Sequence, residues 1–369
     1  AIADYSYAIQ INPQYADAYY SRGIAKAALG DKAGAIADYS YAIQINPQYA
    51  MAYTNRGNAK SALGDKAGAI ADYSYAIQID PQHANAYFNR GNAKSELGDK
   101  AGAIADYNRA IQINPQDALA YFNRGLAKFD LGDKAGAIAD YSQVIQISPQ
   151  VAAPYYNRGL AKIYLGDKVG AMADFNQAIQ IKPQYASAYY NRGIVKFDLG
   201  DIAGAIADYS QAIQINAQYA EAYGNRGNAK IVLADNTGAM ADYNRAILIN
   251  PQFADAYGNR GNVKSELGDN AGAIADYNRA IQINPQAENA FNGRGNAKSA
   301  LGDKAGAIAD FNQAIQINPQ YTGAYYNRGL LRLALGDVAG ARRDYSSVVA
   351  IDPKFAQDNP DLGNRLGGR

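Results

Sequence analysis

The sequence predicts an all-α solenoid of antiparallel helix-turn-helix repeats, and three observations carry that prediction. The string AYxNRGxAKxxLGDKAGAIADYxxAIQINPQ recurs with a strict period of 34 residues. Within each period, apolar residues recur at helical spacing in two separate stretches. Gly-Asp stands between the stretches and Asn-Pro follows the second, residue pairs that end one helix and begin another. A self-similar period of this length overrides the two or three globular domains that 369 residues would otherwise suggest.

Residues 1–15 read as the second helix of an incomplete repeat, with Ile2, Tyr5, Ala8, Ile9 and Ile11 as its apolar stripe. Half of that stripe has no cover within the chain, so a preceding segment or a second copy is expected to supply one. Residue 1 is an Ala inside a repeat, so the chain reads as processed or truncated, and the lack of a leader carries no information on export.

Ten full repeats follow over 16–355, beginning at Ala16, Ala50, Ala84, Ala118, Ala152, Ala186, Ala220, Ala254, Glu288 and Thr322. Helix A of the first carries an aromatic at position 4 (Tyr19) and a leucine at position 14 (Leu29). Gly30 stops it and Asp31 caps helix B. Helix B presents Ala35, Ile36, Tyr39, Ala42 and Ile43, an i, i+1, i+4, i+7, i+8 stripe. Asn46-Pro47 ends it, because the residue before a proline is pushed out of helical geometry. Gly23 and Ala35 are small enough to let the two helices approach, and stacking of hairpins supplies the core that neither helix builds alone. Residues 356–369 align with the front of a further repeat. Asn359-Pro360 and Gly367-Gly368 make that a poor helix A, so the segment reads as a partial repeat or a solvating tail.

Tyr at position 4, Gly at 8, Ala at 20, Tyr or Phe at 24, Ala at 27 and Pro at 32 recur over residues 1–355. By these residues the chain resembles the tetratricopeptide repeat family, in an array of the bacterial, cyanobacterial kind. The resemblance implies a right-handed superhelix, helix A on its concave face, and a non-catalytic surface that holds other proteins. Departures are few: Ala217 replaces the junction Pro, Ala234 the turn Gly, and Val144 and Val348 the Ala at position 27. Neighbouring repeats are expected to template these.

The family usually has large apolar residues at positions 7 and 11. Here Arg fills position 7 in every repeat, from Arg22 to Arg328, and Lys or Arg fills position 11, from Lys26 to Arg332. Asp stands at position 23 throughout, from Asp38 to Asp344. Because the acid recurs with the bases, the charges read as a structural pairing within or between hairpins rather than as a stripe for phosphate. Recurrence also argues against catalysis, since acid–base pairs need one asymmetric environment. Gly at position 19, Gly34 to Gly340, sits at the start of helix B, which close approach of another backbone, ligand contact or shared ancestry of the repeats would explain.

A net charge of +1 gives no global pull toward nucleic acid or anionic lipid. With no Cys there are no disulfides or thiolate metal sites, a composition compatible with any compartment. The single His, His83, fills a junction position and makes no metal site alone. No apolar run reaches the roughly 20 residues that span a bilayer. The chain is therefore read as needing no cofactor, as no enzyme, and as binding neither nucleic acid nor membrane.

Family structures place positions 2, 5, 6, 9, 12 and 13 on the concave groove. Position 6 is Asn55, Asn89, Asn123, Asn157, Asn191, Asn225, Asn259 and Asn327, a ladder of carboxamides that can pair with the peptide units of an extended chain. Positions 5, 9 and 12 are apolar in repeats four to six: Phe122, Leu126 and Phe129; Tyr156, Leu160 and Ile163, with Tyr164 beside them; and Tyr190, Ile194 and Phe197. Those side chains are expected to merge into a mid-groove patch for a partner, or else to pack on neighbouring A helices. Positions 2 and 5 are never basic, which excludes the carboxylate clamp that family members use for chaperone tails. The leading expectation is a scaffold that holds a protein or peptide in the groove. The alternative is a self-assembling protein whose copies join head to tail through their half-repeat ends.

Overall fold

The computed structural model describes residues 1–367, and every regular element among them is a helix. The half repeat is Ile2–Ile11. Helix A spans 13 residues in each full repeat, as at Ala16–Ala28, and helix B spans 14, as at Lys32–Ile45. No helix among the described residues is long and apolar enough to cross a membrane. The helices fall into two compact bodies, Ala1–Pro183 with the hairpins of repeats one to five and a second from Gln184 with repeats six to ten. Within each body, helix B of one repeat packs on helix A of the next, so the core is a row of similar layers.

Two backbone devices set the hairpin. Gly30 takes φ of +88°, and the matching turn glycines do likewise, reversing the chain after helix A. Ala234 is forced into the same left-handed region at φ +59°, a conformation that costs a residue with a Cβ about 1 kcal/mol. Asp31 then accepts a hydrogen bond from the Gly34 amide at 2.8 Å, and a Cβ at Gly34 would overlap the Asp31 carboxylate. The glycine at position 19 thus belongs to the cap rather than to another backbone or a ligand. Its cost of roughly 1 kcal/mol in helix propensity is offset by a cap of similar size.

The interior is built from small and flat groups. Ala35 and Ala42 are fully buried, and the Tyr39 ring lies so close to Gly23 that a Cβ there would stand 2.6 Å from Tyr39 Cε1. Around this layer sits the arginine of position 7. Arg22 donates from Nε and Nη2 to both carboxylate oxygens of Asp38, at 2.9 and 2.7 Å. Lys26 reaches the same carboxylate at 2.8 Å. The guanidinium also lies 5.6 Å from the Tyr19 ring centroid, and Nη1 donates to Ser6 Oγ on the preceding helix B at 3.0 Å. The charged pair therefore closes one hairpin, and the contact between hairpins is the arginine's remaining donor on a Ser or Asn. Of the two expected placements, within or between hairpins, the pair takes the first. The acids are buried, with Asp174 4% exposed, while the cations keep an edge in solvent.

The ends differ from the repeats. Ile2–Ile11 buries no residue, and Tyr7 and Ile11 are largely exposed. At the other end the chain forms two short helices, Pro353–Asp358 and Asp361–Gly367. Leu362 is wholly buried against Gly329, in the place that the position-24 aromatic takes in other repeats, and Tyr345 lies against Gly363 instead. Through Leu362 this segment is packed rather than solvated.

Two outcomes follow from this packing. Asp174→Ala leaves Arg158 and Lys162 without their shared carboxylate, so urea denaturation is expected to show a loss of roughly 1–3 kcal/mol. An unchanged midpoint would mean that the charges are merely solvated. Burial pushes the Tyr39 and Tyr107 hydroxyls up to about 12 and raises those of Tyr73, Tyr141, Tyr209, Tyr243 and Tyr277 as well. The unfolded tyrosines, near 10, lose protons first. Stability should be complete below about pH 10 and fall as pH rises through about 12. Melting curves at pH 8 and 11 check this, and equal melting temperatures would contradict it.

Candidate functional site

Within each body the A helices of successive repeats adjoin, so the variable positions of neighbouring repeats meet on one face. The position-6 asparagines form a connected ladder there. In the first body Asn55 Nδ2 donates to Tyr20 Oη at 3.0 Å, Asn89 to Asn58 Oδ1 at 3.0 Å and Asn123 to Asn92 Oδ1 at 2.9 Å. In the second, Asn225 donates to Tyr190 Oη at 2.9 Å, Asn259 to Asn228 Oδ1 at 2.9 Å and Asn327 to Asn292 Oδ1 at 3.0 Å. Asn157 and Asn191 turn back to the carbonyls of Ala153 and Ser187, each at 2.9 Å. Leu126, at position 9 of the repeat before Asn157, offers that asparagine no acceptor.

The asparagine at position 9 is the junction of this ladder. Asn58, Asn92 and Asn228 each accept a second hydrogen bond from the buried tyrosine of their own helix B, Tyr73, Tyr107 and Tyr243, at 2.8–2.9 Å. One N–H of each ladder asparagine is thus used structurally. The carbonyl oxygens of Asn55, Asn89 and Asn259 accept nothing from the chain among the described residues.

The apolar residues expected to anchor a partner are partly occupied. Phe122 packs on Tyr141 at 5.8 Å between ring centroids, Tyr156 on Phe175 at 5.9 Å, and Tyr190 on Tyr209 at 5.9 Å. Phe129 meets Tyr164 edge-on at 5.4 Å, and Lys134 Nζ lies 3.3 Å from the Phe129 centroid. Ile194 and Phe197 pack with Tyr190 against Ala205 and Tyr209. Leu160 and Ile163 are half-buried, while Leu126 and Tyr164 are exposed.

A cavity of about 190 Å³ adjoins Ile194 and Phe197, and larger open space lies elsewhere. A cavity of about 380 Å³ in the second body is lined by Gly224, Asn228, Phe253, Gly258, Asn262 and Ala287, among others. A second of about 410 Å³ adjoins it, sharing Asn259, Asn262, Tyr277 and Asn289 and adding Glu266, Asn292 and Asn296. The cause is a double truncation. In repeats one and six the ring at position 5 meets the ring at position 34 of its own repeat, Tyr20–Tyr49 and Tyr190–Tyr219, both at 4.8 Å. In repeat eight these two residues are Gly258 and Ala287, and a Cβ on Gly258 would meet nothing within 4 Å. Sequence reasoning did not foresee this hole, although glycine at position 5 was the signal. Among the described residues no three His, Asp or Glu side chains gather as a metal set.

A profile described as TPR repeat matches residues 58–98, 94–132, 125–166, 163–200, 195–230, 261–302 and 295–336, more than half of the chain. Profiles described as tetratricopeptide repeat match 1–50, 220–253 and 324–354. The chain belongs to the tetratricopeptide repeat family. Tetratricopeptide repeats typically mediate protein–protein interaction, and the family is generally non-catalytic.

Solved structures share the fold. A tetratricopeptide repeat protein from Parabacteroides merdae is 20% identical, with a TM-score of 0.53 over 68% of this chain and 99% of that one. The Cut9–Hcn1 hetero-tetramer of APC/C contains a chain 14% identical, with a TM-score of 0.56 over 99% and 92%. YrrB, a TPR protein with an unusual peptide-binding site, is 22% identical, with a TM-score of 0.48 over 52% and 99%. A comparison with curated proteins finds no significant match.

The ladder can be tested within this tetratricopeptide array. Asn228→Ala removes the acceptor of both Tyr243 and Asn259 and is expected to cost roughly 1–3 kcal/mol in chemical denaturation. Asn296→Ala removes neither kind of bond, because its own helix B carries Phe311 and Asn327 donates to Asn292. That variant should stay within about 0.5 kcal/mol of the parent. Equal losses would show the ladder to be energetically empty.

Proposed function

We propose that this tetratricopeptide array is a non-catalytic scaffold that holds an extended polypeptide along the face formed by its A helices. The observation that supports the reading best is the asparagine ladder beside open cavities. A carboxamide offers a donor and an acceptor, as a peptide unit does, and here it recurs once per repeat. Helix A cations are not available to compete, because Arg and Lys at positions 7 and 11 are spent on Asp. In the first body Leu126 and Tyr164 add apolar contact, and in the second the partly covered Tyr190, Ile194 and Phe197 do so.

A peptide selected from a displayed random library gives the test. Hydrogen exchange on the full chain should show added protection in helices A around Asn225 and Asn259. Asn225→Ala and Asn259→Ala should each weaken binding by about 0.5–1.5 kcal/mol, several-fold in affinity. Protection confined to helices B would sink the reading.

A further inference from the structure

The carboxylates around the second-body cavities lack the partners that their counterparts have in the first body. Asp17 at position 2 of repeat one accepts from Tyr49 Oη at 2.9 Å. The corresponding donor for Asp255 would come from position 287, which is Ala, and for Glu221 from position 253, which is Phe. Glu96 and Asp130 at position 13 pair with Lys66 and Lys100 at 2.6 and 3.1 Å. The equivalent partner of Glu266 would be at position 236, which is Asn. Ala287 therefore both opens the cavity and leaves Asp255 without a hydroxyl. Glu288, also on the lining, receives only Asn318 at 3.5 Å.

Among the described residues no nearby cation compensates. Arg260 and Lys264 are held by Asp276, and Arg294 and Lys298 by Asp310. The lysine found at position 17 in repeats one to five is Ile202, Asn236 and Asn270 in repeats six to eight. The cavity thus combines uncompensated negative charge with a volume of about 380 Å³, room for about a dozen waters at ~30 Å³ each. That is far more than one ion requires and suits a long side chain with part of its backbone. Carboxylates and carboxamide oxygens together match the donor-only chemistry of arginine and lysine.

We propose that the cavities of repeats seven to nine take the basic side chains of an extended polypeptide, with Asp255, Glu266 and Glu288 as the charge partners. This rests on the groove function above and specifies the chemistry of its occupant. Because the carboxylates are at the surface, their selectivity is strongest at low salt.

The test uses the full chain and a short fluorescein-labelled peptide of alternating Gly and Arg, with Gln and Glu versions as comparators. Fluorescence anisotropy at low salt should show the Arg peptide bound on the order of tenfold tighter than the Gln peptide, with a smaller margin at physiological salt. Asp255→Asn combined with Glu266→Gln should remove most of that margin. Ala287→Tyr refills the hole and offers Asp255 the hydroxyl that Tyr49 offers Asp17, so it should abolish the preference for the Arg peptide with an equal or higher melting temperature. An Arg peptide held no tighter than the Gln peptide, with both weakened by Asn259→Ala, would overturn the charge assignment and leave the groove function standing. An Arg preference that survives Ala287→Tyr would overturn the site. Failure of all three peptides to bind would overturn both.

Discussion

The guanidinium of position 7 is the group on which the rest of the array depends. It grips a buried carboxylate in two places, lies against the aromatic of position 4 and sends one donor to the preceding hairpin. A buried Asp with a single cation would be a costly choice. With two cations and a fork of hydrogen bonds, its oxygens are satisfied. The planar fork matters here, because a point charge could not hold the carboxylate and reach the preceding helix B at once. Repeated in the hairpins of each body, the same geometry makes one layer register on the next within that body.

Around that constant frame, the layers differ in how completely positions 5 and 34 fill the space between A helices. Two rings in contact close it, as Tyr20 and Tyr49 do. Gly258 and Ala287 leave it open. The same substitutions change the electrostatics, since a tyrosine hydroxyl lost at position 34 is also a hydrogen-bond donor lost to the acid at position 2. Shape and charge at the second-body cavities therefore share one cause. Hydrophobic exposure plays a smaller part than residue types suggest, because Phe122, Tyr156 and Tyr190 already use one ring face on their own helix B.

Much of the fold was legible because each repeat states it again. The period, the turn glycine, the capping aspartate and the Asn-Pro junction are local signals, and ten repetitions average out the departures. Ala234 shows how firm the frame is, since it adopts the glycine conformation without being one. The candidate site was less legible. Asn55, Asn89 and Asn259 were legible as helix A residues, but their bonds to the preceding repeat depend on residues 31 or 35 positions away. The role of Gly34 was similarly hidden, because overlap with Asp31 is a matter of angstroms that residue spacing does not convey.

From its sequence alone this protein is an all-α array of paired helices, of the tetratricopeptide family, with matched charges inside its hairpins. Those properties rest on periodicity, on helix-ending residues and on counts of acids and bases, all of which are one-dimensional. Tertiary structure alone decided where cavities open beside the A helices and which carboxylates around them lack a partner. A cavity arises only when two truncated side chains from different helices, Gly258 and Ala287, face each other. A carboxylate such as Glu266 is unpaired only because the neighbouring repeat places an asparagine where its counterparts find a lysine.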